Sequence, residues 1–165
     1  MSCLEGKLHT YSTKYGALTI FESGNCSSSS ALLFIAGLTE VLNVSFPTQP
    51  LTFRQGFMGT PYIHRLSSKL RMINWSLCQL HMRSSYLGFG TGSLNRDFED
   101  ISAAISYLVA TGKHQVVLMG HSTGSQNSIH YVLNRSKNTP SVSAVIVLDL
   151  HGCKNSWVPA PGLGQ

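Results

Sequence analysis

The chain alternates short unbroken apolar runs with stretches whose apolar positions recur every three or four residues. Three runs stand out: Ala31-Leu32-Leu33-Phe34-Ile35-Ala36 closed by Gly37, Gln115-Val116-Val117-Leu118-Met119 before Gly120, and Ala144-Val145-Ile146-Val147-Leu148. None alternates apolar with polar residues. Continuous runs of this length fit strands buried on both faces, as in a parallel sheet. Trp75-Ser76-Leu77-Cys78-Gln79-Leu80 is a fourth, weaker strand. Residues 7–12 and 17–21 alternate around a polar turn and read as a hairpin. Residues 24–30, rich in Gly, Asn and Ser, read as a loop.

Helical spacing lies between the runs. Leu94, Phe98, Ile101, Ile105 and Leu108 share one helical face. Ser93 is placed to cap that helix, and Asp97, Glu99 and Asp100 suit the positive end of its dipole. Gly112 and then Lys113 are stop signals. Residues 125–134 predict a shorter helix with Ile129, Val132 and Leu133 as its apolar side, and residues 62–72 a third. Strands alternating with helices predict an α/β fold, a mostly parallel sheet with flanking helices.

Composition narrows the function classes. At 165 residues and 42% apolar the chain makes one domain with an ordinary core. Its 12% charged residues, against about 25% in typical domains, argue against disorder and coiled coil. No apolar run approaches the roughly 20 residues of a membrane span. The net charge of +5 comes from basic residues scattered singly, so nucleic-acid binding is not expected. Cys3, Cys26, Cys78 and Cys153 have no metal-site spacing, so no metal is expected. The N-terminus has no signal-peptide pattern, which predicts an intracellular, cytosolic protein with free thiols. Gly88-Phe89-Gly90-Thr91-Gly92 lacks the Lys-Ser/Thr ending of a phosphate loop. It reads as a connection, and no cofactor is expected.

The candidate chemistry is Gly120-His121-Ser122-Thr123-Gly124, between a strand and a helix. A G-x-S-x-G in that context predicts a nucleophile elbow. The turn is so tight that Ser122 takes a strained backbone, and glycines flank it because side chains there would collide. Ser122 is then the nucleophile, and the Thr123 N–H an oxyanion donor at a helix N-terminus. A second donor is expected from the loop after the third strand, with the N–H of Leu38 as candidate. His121 is adjacent and points away from Ser122, and His130 lies two turns along the helix. His81 follows the fourth strand. Asp149 and His151, just after the last apolar run, are the remaining acid and base candidates.

The chain resembles the α/β-hydrolase superfamily, and within it the DUF1749-like fungal esterases. The resemblance rests on Leu32 to Leu38, Trp75-Ser76-Leu77, Ser84 to Gly90, Ser93-Leu94 with Asp97 to Asp100, and above all Met119 to Gln126. It further resembles hydrolases of host-selective toxin clusters, linked to an epoxydecatrienoic acid moiety. The resemblance implies a triad in the order Ser, acid, His, a small-molecule acyl substrate and a peroxisomal location. Set against that fold, the expectation is an incomplete α/β-hydrolase: residues 1–150 carry its N-terminal part, the last two strands are missing, and 151–165 form an irregular tail. Three functions stay open: an esterase or thioesterase with impaired activity, an inactive remnant, and a partner-binding protein that pairs through the exposed edge of its sixth strand.

Overall fold

A computed structural model describes residues 4–37, 61–85, 91–148 and 156–159. The elements in chain order are β1 (Gly6–Thr13), β2 (Gly16–Gly24), β3 (Ser30–Ile35), α1 (Pro61–Met72), β4 (Ser76–Leu80), α2 (Leu94–Ala110), β5 (Gln115–His121), α3 (Thr123–Leu133), β6 (Ala144–Leu148) and β7 (Ser156–Pro159). Among the described residues the strands form one sheet in the order β1-β2-β4-β3-β5-β6-β7. The contacts β4–β3, β3–β5 and β5–β6 are parallel. The β1–β2 hairpin and β7 are joined antiparallel at the two edges.

The unbroken apolar runs are explained by burial on both faces. Successive strand residues point to opposite sides. Leu33 and Ile35 pack with Ile101, Ile105 and Leu108 of α2 and Tyr131 of α3. Leu32 and Phe34 pack with Ile63 and Leu70 of α1 on the other side. A strand covered twice has no polar face to show. No helix among the described residues is long and apolar enough to cross a membrane.

Helix α2 follows its sequence signals closely. Ser93 caps it, and Gly112, at φ +97, lets the chain leave it. The Gly112 N–H donates to Val109 O at 3.0 Å and the Lys113 N–H to Leu108 O at 2.9 Å. Those paired bonds satisfy two of the last carbonyls. Only Leu94, expected on the buried face, is exposed, at the first position of the helix.

Helix α3 departs from expectation. Its expected apolar side is largely outside: Ile129 and Leu133 are exposed and Val132 is half-buried. The buried residues are Gly124, Ser125, Asn127, Ser128 and Tyr131. Its first turn lies so close to the strands that a side chain at Gly124 would meet the carbonyl of Ile35, and small residues fill that part of the buried face, with Tyr131 entering the core further along. The serine hydroxyls are satisfied locally, Ser128 Oγ donating to Gly124 O at 2.8 Å.

The tail differs too. Four of its residues, expected to be irregular, form β7, with Val145 opposite Val158 and Ile146 opposite Trp157. The open edge of β6 carries N–H and C=O groups that need partners, and Trp157-Val158 is a strand-prone pair. Pro159 sits at a strand end on the sheet edge, where a missing N–H costs nothing. The β6 edge that was expected to be exposed is therefore occupied.

Candidate active site

β5 runs on through Gly120 and His121, the chain reverses at Ser122, and α3 begins at Thr123. Ser122 has φ 54° and ψ −119°. Among the described residues Asn74, at φ 62°, shares that sign of φ, and Asn tolerates it well. A serine there costs of order 1–3 kcal/mol and persists only where its surroundings fix it. Here they do. The Ser122 N–H donates to Leu148 O at 2.9 Å, and the Ser125 N–H donates to Ser122 O at 2.9 Å. Ser125 Oγ reaches Gly120 O at 3.0 Å and Leu148 O at 2.8 Å. The elbow is thus tied to the end of β6 by two groups.

The glycines are steric necessities. A Cβ at Gly120 would run into the carbonyl of Gly124, and one at Gly124 into the carbonyl of Ile35. A Cβ at Gly37 would stand 2.8 Å from Ser122 Cβ and 3.4 Å from its Oγ. Gly37 thereby lets the chain leaving β3 lie directly against Ser122. Leu38 is the next residue and lies outside the described residues. Ser122 Oγ makes no capping bond to α3. It takes none of the helix's first N–H groups, which concentrate partial positive charge beside it.

A cavity of about 240 Å³ opens beside Thr123, between the N-terminal turns of α2 and α3 and the ends of β3 and β4. Its wall includes Ala36, Ser84, Asp97 and Asn127. Asp97 entered the sequence reading as a helix-dipole match and as part of the family resemblance, with no role in the site. It is buried, and burial pushes its carboxyl above the usual range. Asp100 adds to that shift, whereas the Ser84 hydroxyl, Arg96 and Asn127 oppose it. Ser84 Oγ donates to Oδ2 at 3.0 Å, and Oδ1 has no hydrogen-bond partner. Only its place in the first turn, four residues after a cap, could have pointed to a helix mouth.

The histidines are dispersed. His121 is buried with its ring edge-on to Tyr62. His130 bonds Asn95 Oδ1 at 3.0 Å on α2, and His9 bonds Glu22 at 2.9 Å in the hairpin. His81 is set beside Thr19 at 3.4 Å, and burial lowers its pKa. Asp149 and His151 lie outside the described residues. Among the described residues no His, Cys, Asp and Glu side chains gather in a metal-binding group. The geometry offers a strained serine, an oriented helix N-terminus, a glycine-lined approach and an adjoining cavity with both polar and apolar walls. That set can position a carbonyl for attack and stabilise the oxyanion formed.

Comparison with known proteins agrees with this arrangement. The family model described as "Protein of unknown function (DUF1749)" matches residues 1–149. A UPF0613 protein of Schizosaccharomyces pombe is 36% identical over 137 residues, 77% of this chain and 39% of the relative. Fusarinine C esterase sidJ of Aspergillus fumigatus is 30% identical over 191 aligned residues, 98% of this chain and 48% of the relative. Among solved structures, siderophore hydrolase EstB from Aspergillus fumigatus superposes with a TM-score of 0.65 at 27% identity, covering 88% of this chain and 42% of that one. An α/β-hydrolase fold protein of unknown function superposes at 0.69 with 23% identity, over 89% of this chain and 45% of that one, and supports the fold alone. The chain spans less than half the length of each of these relatives.

Proposed function

The chain belongs to the DUF1749 family, and on that premise we propose that it is a serine-hydrolase-type esterase with Ser122 as nucleophile. The carrying observation is the Ser122 backbone, held at φ 54° between β5 and α3 with glycines packed around it. Ser122 Oγ attacks the ester carbonyl. The Thr123 N–H, with the Leu38 N–H from the loop after β3, binds the oxyanion. The proton passes to His151, oriented by Asp149, and from there to the leaving alcohol. One contact favours this assignment: Leu148, the residue before Asp149, accepts hydrogen bonds from Ser122 N and Ser125 Oγ. The chain therefore passes the elbow just as it reaches the two candidates.

The substrate proposed is a small-molecule ester of secondary metabolism. The names of the Aspergillus relatives point to a siderophore ester. The resemblance read in the sequence points instead to an acyl unit of a toxin. Assaying both ester types side by side decides between them.

A fluorophosphonate probe followed by peptide mass spectrometry tests the nucleophile. Labelling is expected at Ser122, and Ser122→Ala is expected to bring p-nitrophenyl acetate hydrolysis to the uncatalysed background. His151→Ala and Asp149→Ala should each lower the rate by orders of magnitude. No labelling would overturn the reading in favour of a non-enzymatic protein. Normal rates for His151→Ala would place the base elsewhere.

A further inference from the structure

We propose that Ser125 is a positioning residue for the nucleophile: its hydroxyl fixes the strained Ser122 backbone against the end of β6, and so sets where Ser122 Oγ stands. This rests on the esterase reading of Ser122. It goes beyond that reading in tying the turnover rate to a second serine, one that acts through the first.

Both backbone groups of Ser122 lead to Ser125. The Ser122 C=O accepts the Ser125 N–H at 2.9 Å. The Ser122 N–H donates to Leu148 O at 2.9 Å, and Ser125 Oγ holds that same carbonyl at 2.8 Å. Ser125 Oγ also lies 3.0 Å from Gly120 O, two residues before the nucleophile. A hydroxyl has one proton to give, so the two carbonyls share it, with Leu148 O the nearer. A carbonyl oxygen has two lone pairs, so the two donors from the elbow fill Leu148 O. One side chain thereby closes a ring of hydrogen bonds around a residue at φ 54° and ψ −119°. A backbone in so sparsely populated a region persists only where its neighbours over-determine it.

Two further observations set Ser125 apart from an ordinary helix serine. Ser128, one turn on, uses its hydroxyl inside the helix, on Gly124 O at 2.8 Å. Ser125 reaches out of the helix to the ends of two strands, and at 5% exposed it has no bulk water to replace those bonds. The end of β6 also needs the tie. Ala144 and Val145 are buried, whereas Ile146, Val147 and Leu148 are only half-buried. Among the described residues, pairing with β7 covers Ala144 to Val147 and stops before Leu148. Leu148 is held from its β5 side, where it lies opposite His121 and meets the two donors of the elbow. Without the Ser125 hydroxyl, Leu148 O keeps one of those donors. The elbow can then relax from its positive φ and carry Ser122 Oγ off the line of attack.

The test measures kcat and KM for p-nitrophenyl acetate, and the rate of fluorophosphonate labelling, on the parent chain, Ser125→Ala and Ser125→Cys. Melting curves are recorded and rates are taken per folded molecule. A misplacement of about 1 Å in a reacting group costs up to about 10²-fold, so Ser125→Ala should lower kcat by about 10- to 100-fold. Its KM should stay within about two-fold of the parent value, because the loss falls on the reacting atom and not on binding. Labelling should slow in proportion. Ser125→Cys fills the same space with a weak donor and should lose rate as well. A lowered melting temperature with kcat and labelling unchanged overturns the inference and leaves the esterase reading standing, since the hydroxyl then serves folding alone. A loss carried by KM overturns it in favour of substrate binding, and a parent rate in Ser125→Cys overturns it in favour of packing. If neither variant folds, Ser125 is a folding residue and the assignment falls. A parent chain that neither turns over nor labels overturns the esterase reading before any variant is compared, and this inference falls with it.

Discussion

Ser93 and Ser122 stand at the same position, one residue before the first turn of α2 and of α3, and their hydroxyls do opposite things. Ser93 arrives in extended backbone, φ −135° and ψ 160°, and its Oγ accepts the Arg96 N–H at 3.3 Å. Ser122 arrives straight from a strand at φ 54° and ψ −119°, and its Oγ caps nothing. Ser93 uses its oxygen to satisfy the helix, the ordinary role of serine at such a position. Ser122 holds its oxygen away from the helix and gives up the cap. In return the nucleophile and the helix's positive end face one opening. The two serines teach that residue type and helix position do not determine a serine's work; the backbone that delivers it does. At α3 that backbone is bought with glycines.

The largest effect should come from removing one of those glycines. Gly124→Val places branched carbons where Ile35 and Ala36 carbonyls already stand. Backbone on both sides cannot give way, so the loss should reach about 3 kcal/mol or more. The matching position in α2, two residues after its serine, is Asn95, which is exposed. Asn95→Val should cost under about 1 kcal/mol, even with the His130 bond lost. Urea midpoints of the two variants are the measurement. Similar shifts would mean that α3 does not pack against β3 as described.

Ser93→Ala comes next. It strands one N–H at the start of α2 and should cost about 1 kcal/mol, within the usual 0.5–2 kcal/mol range for lost caps. Esterase activity is a second readout here, because the Ser93 turn borders the same cavity as Asp97. A stability loss below about 0.3 kcal/mol would show that the α2 cap is idle, and the contrast between the serines would disappear.

What was legible in the chain divides along the same line. The strands and α2 were readable because apolar burial sets them: Leu33 and Ile35 cannot face water, nor can Ile101, Ile105 and Leu108. The elbow was readable because sterics demand Gly at 120 and 124. The buried face of α3 was not, since Gly124, Ser125 and Ser128 carry no hydrophobic signal and their fit depends on how near the helix lies to the sheet. β7 was missed because its partner is an open strand edge that exists only once β6 is in place. Asp97 was read as a match to the helix dipole, and its burial was not foreseen, because nothing local to α2 says that Ser84 and Asn127 converge on it. Close packing and convergence are tertiary facts, and both concentrate at the candidate site.

The smallest effect is expected at Ser122 itself, and its sign is informative. Ser122→Ala keeps the Cβ, and with it the strain of a positive φ. It removes an oxygen that makes no capping bond, so stability should change by less than about 0.5 kcal/mol. Ser122→Gly removes the strain, worth of order 1–3 kcal/mol, and gives back roughly 0.5–1 kcal/mol through the freer unfolded chain. The backbone bond from Ser122 N to Leu148 O survives in both variants. The glycine variant should therefore be the more stable of the two by about 1 kcal/mol. At Ser93 the order is set by the cap instead: Ser93→Gly has no strain to relieve, and both variants should be less stable than the parent chain. Thermal or urea unfolding of the four variants reads both orders. If Ser122→Gly were less stable than Ser122→Ala, the Ser122 backbone would not be strained, and the two serines would differ only in what their oxygens touch.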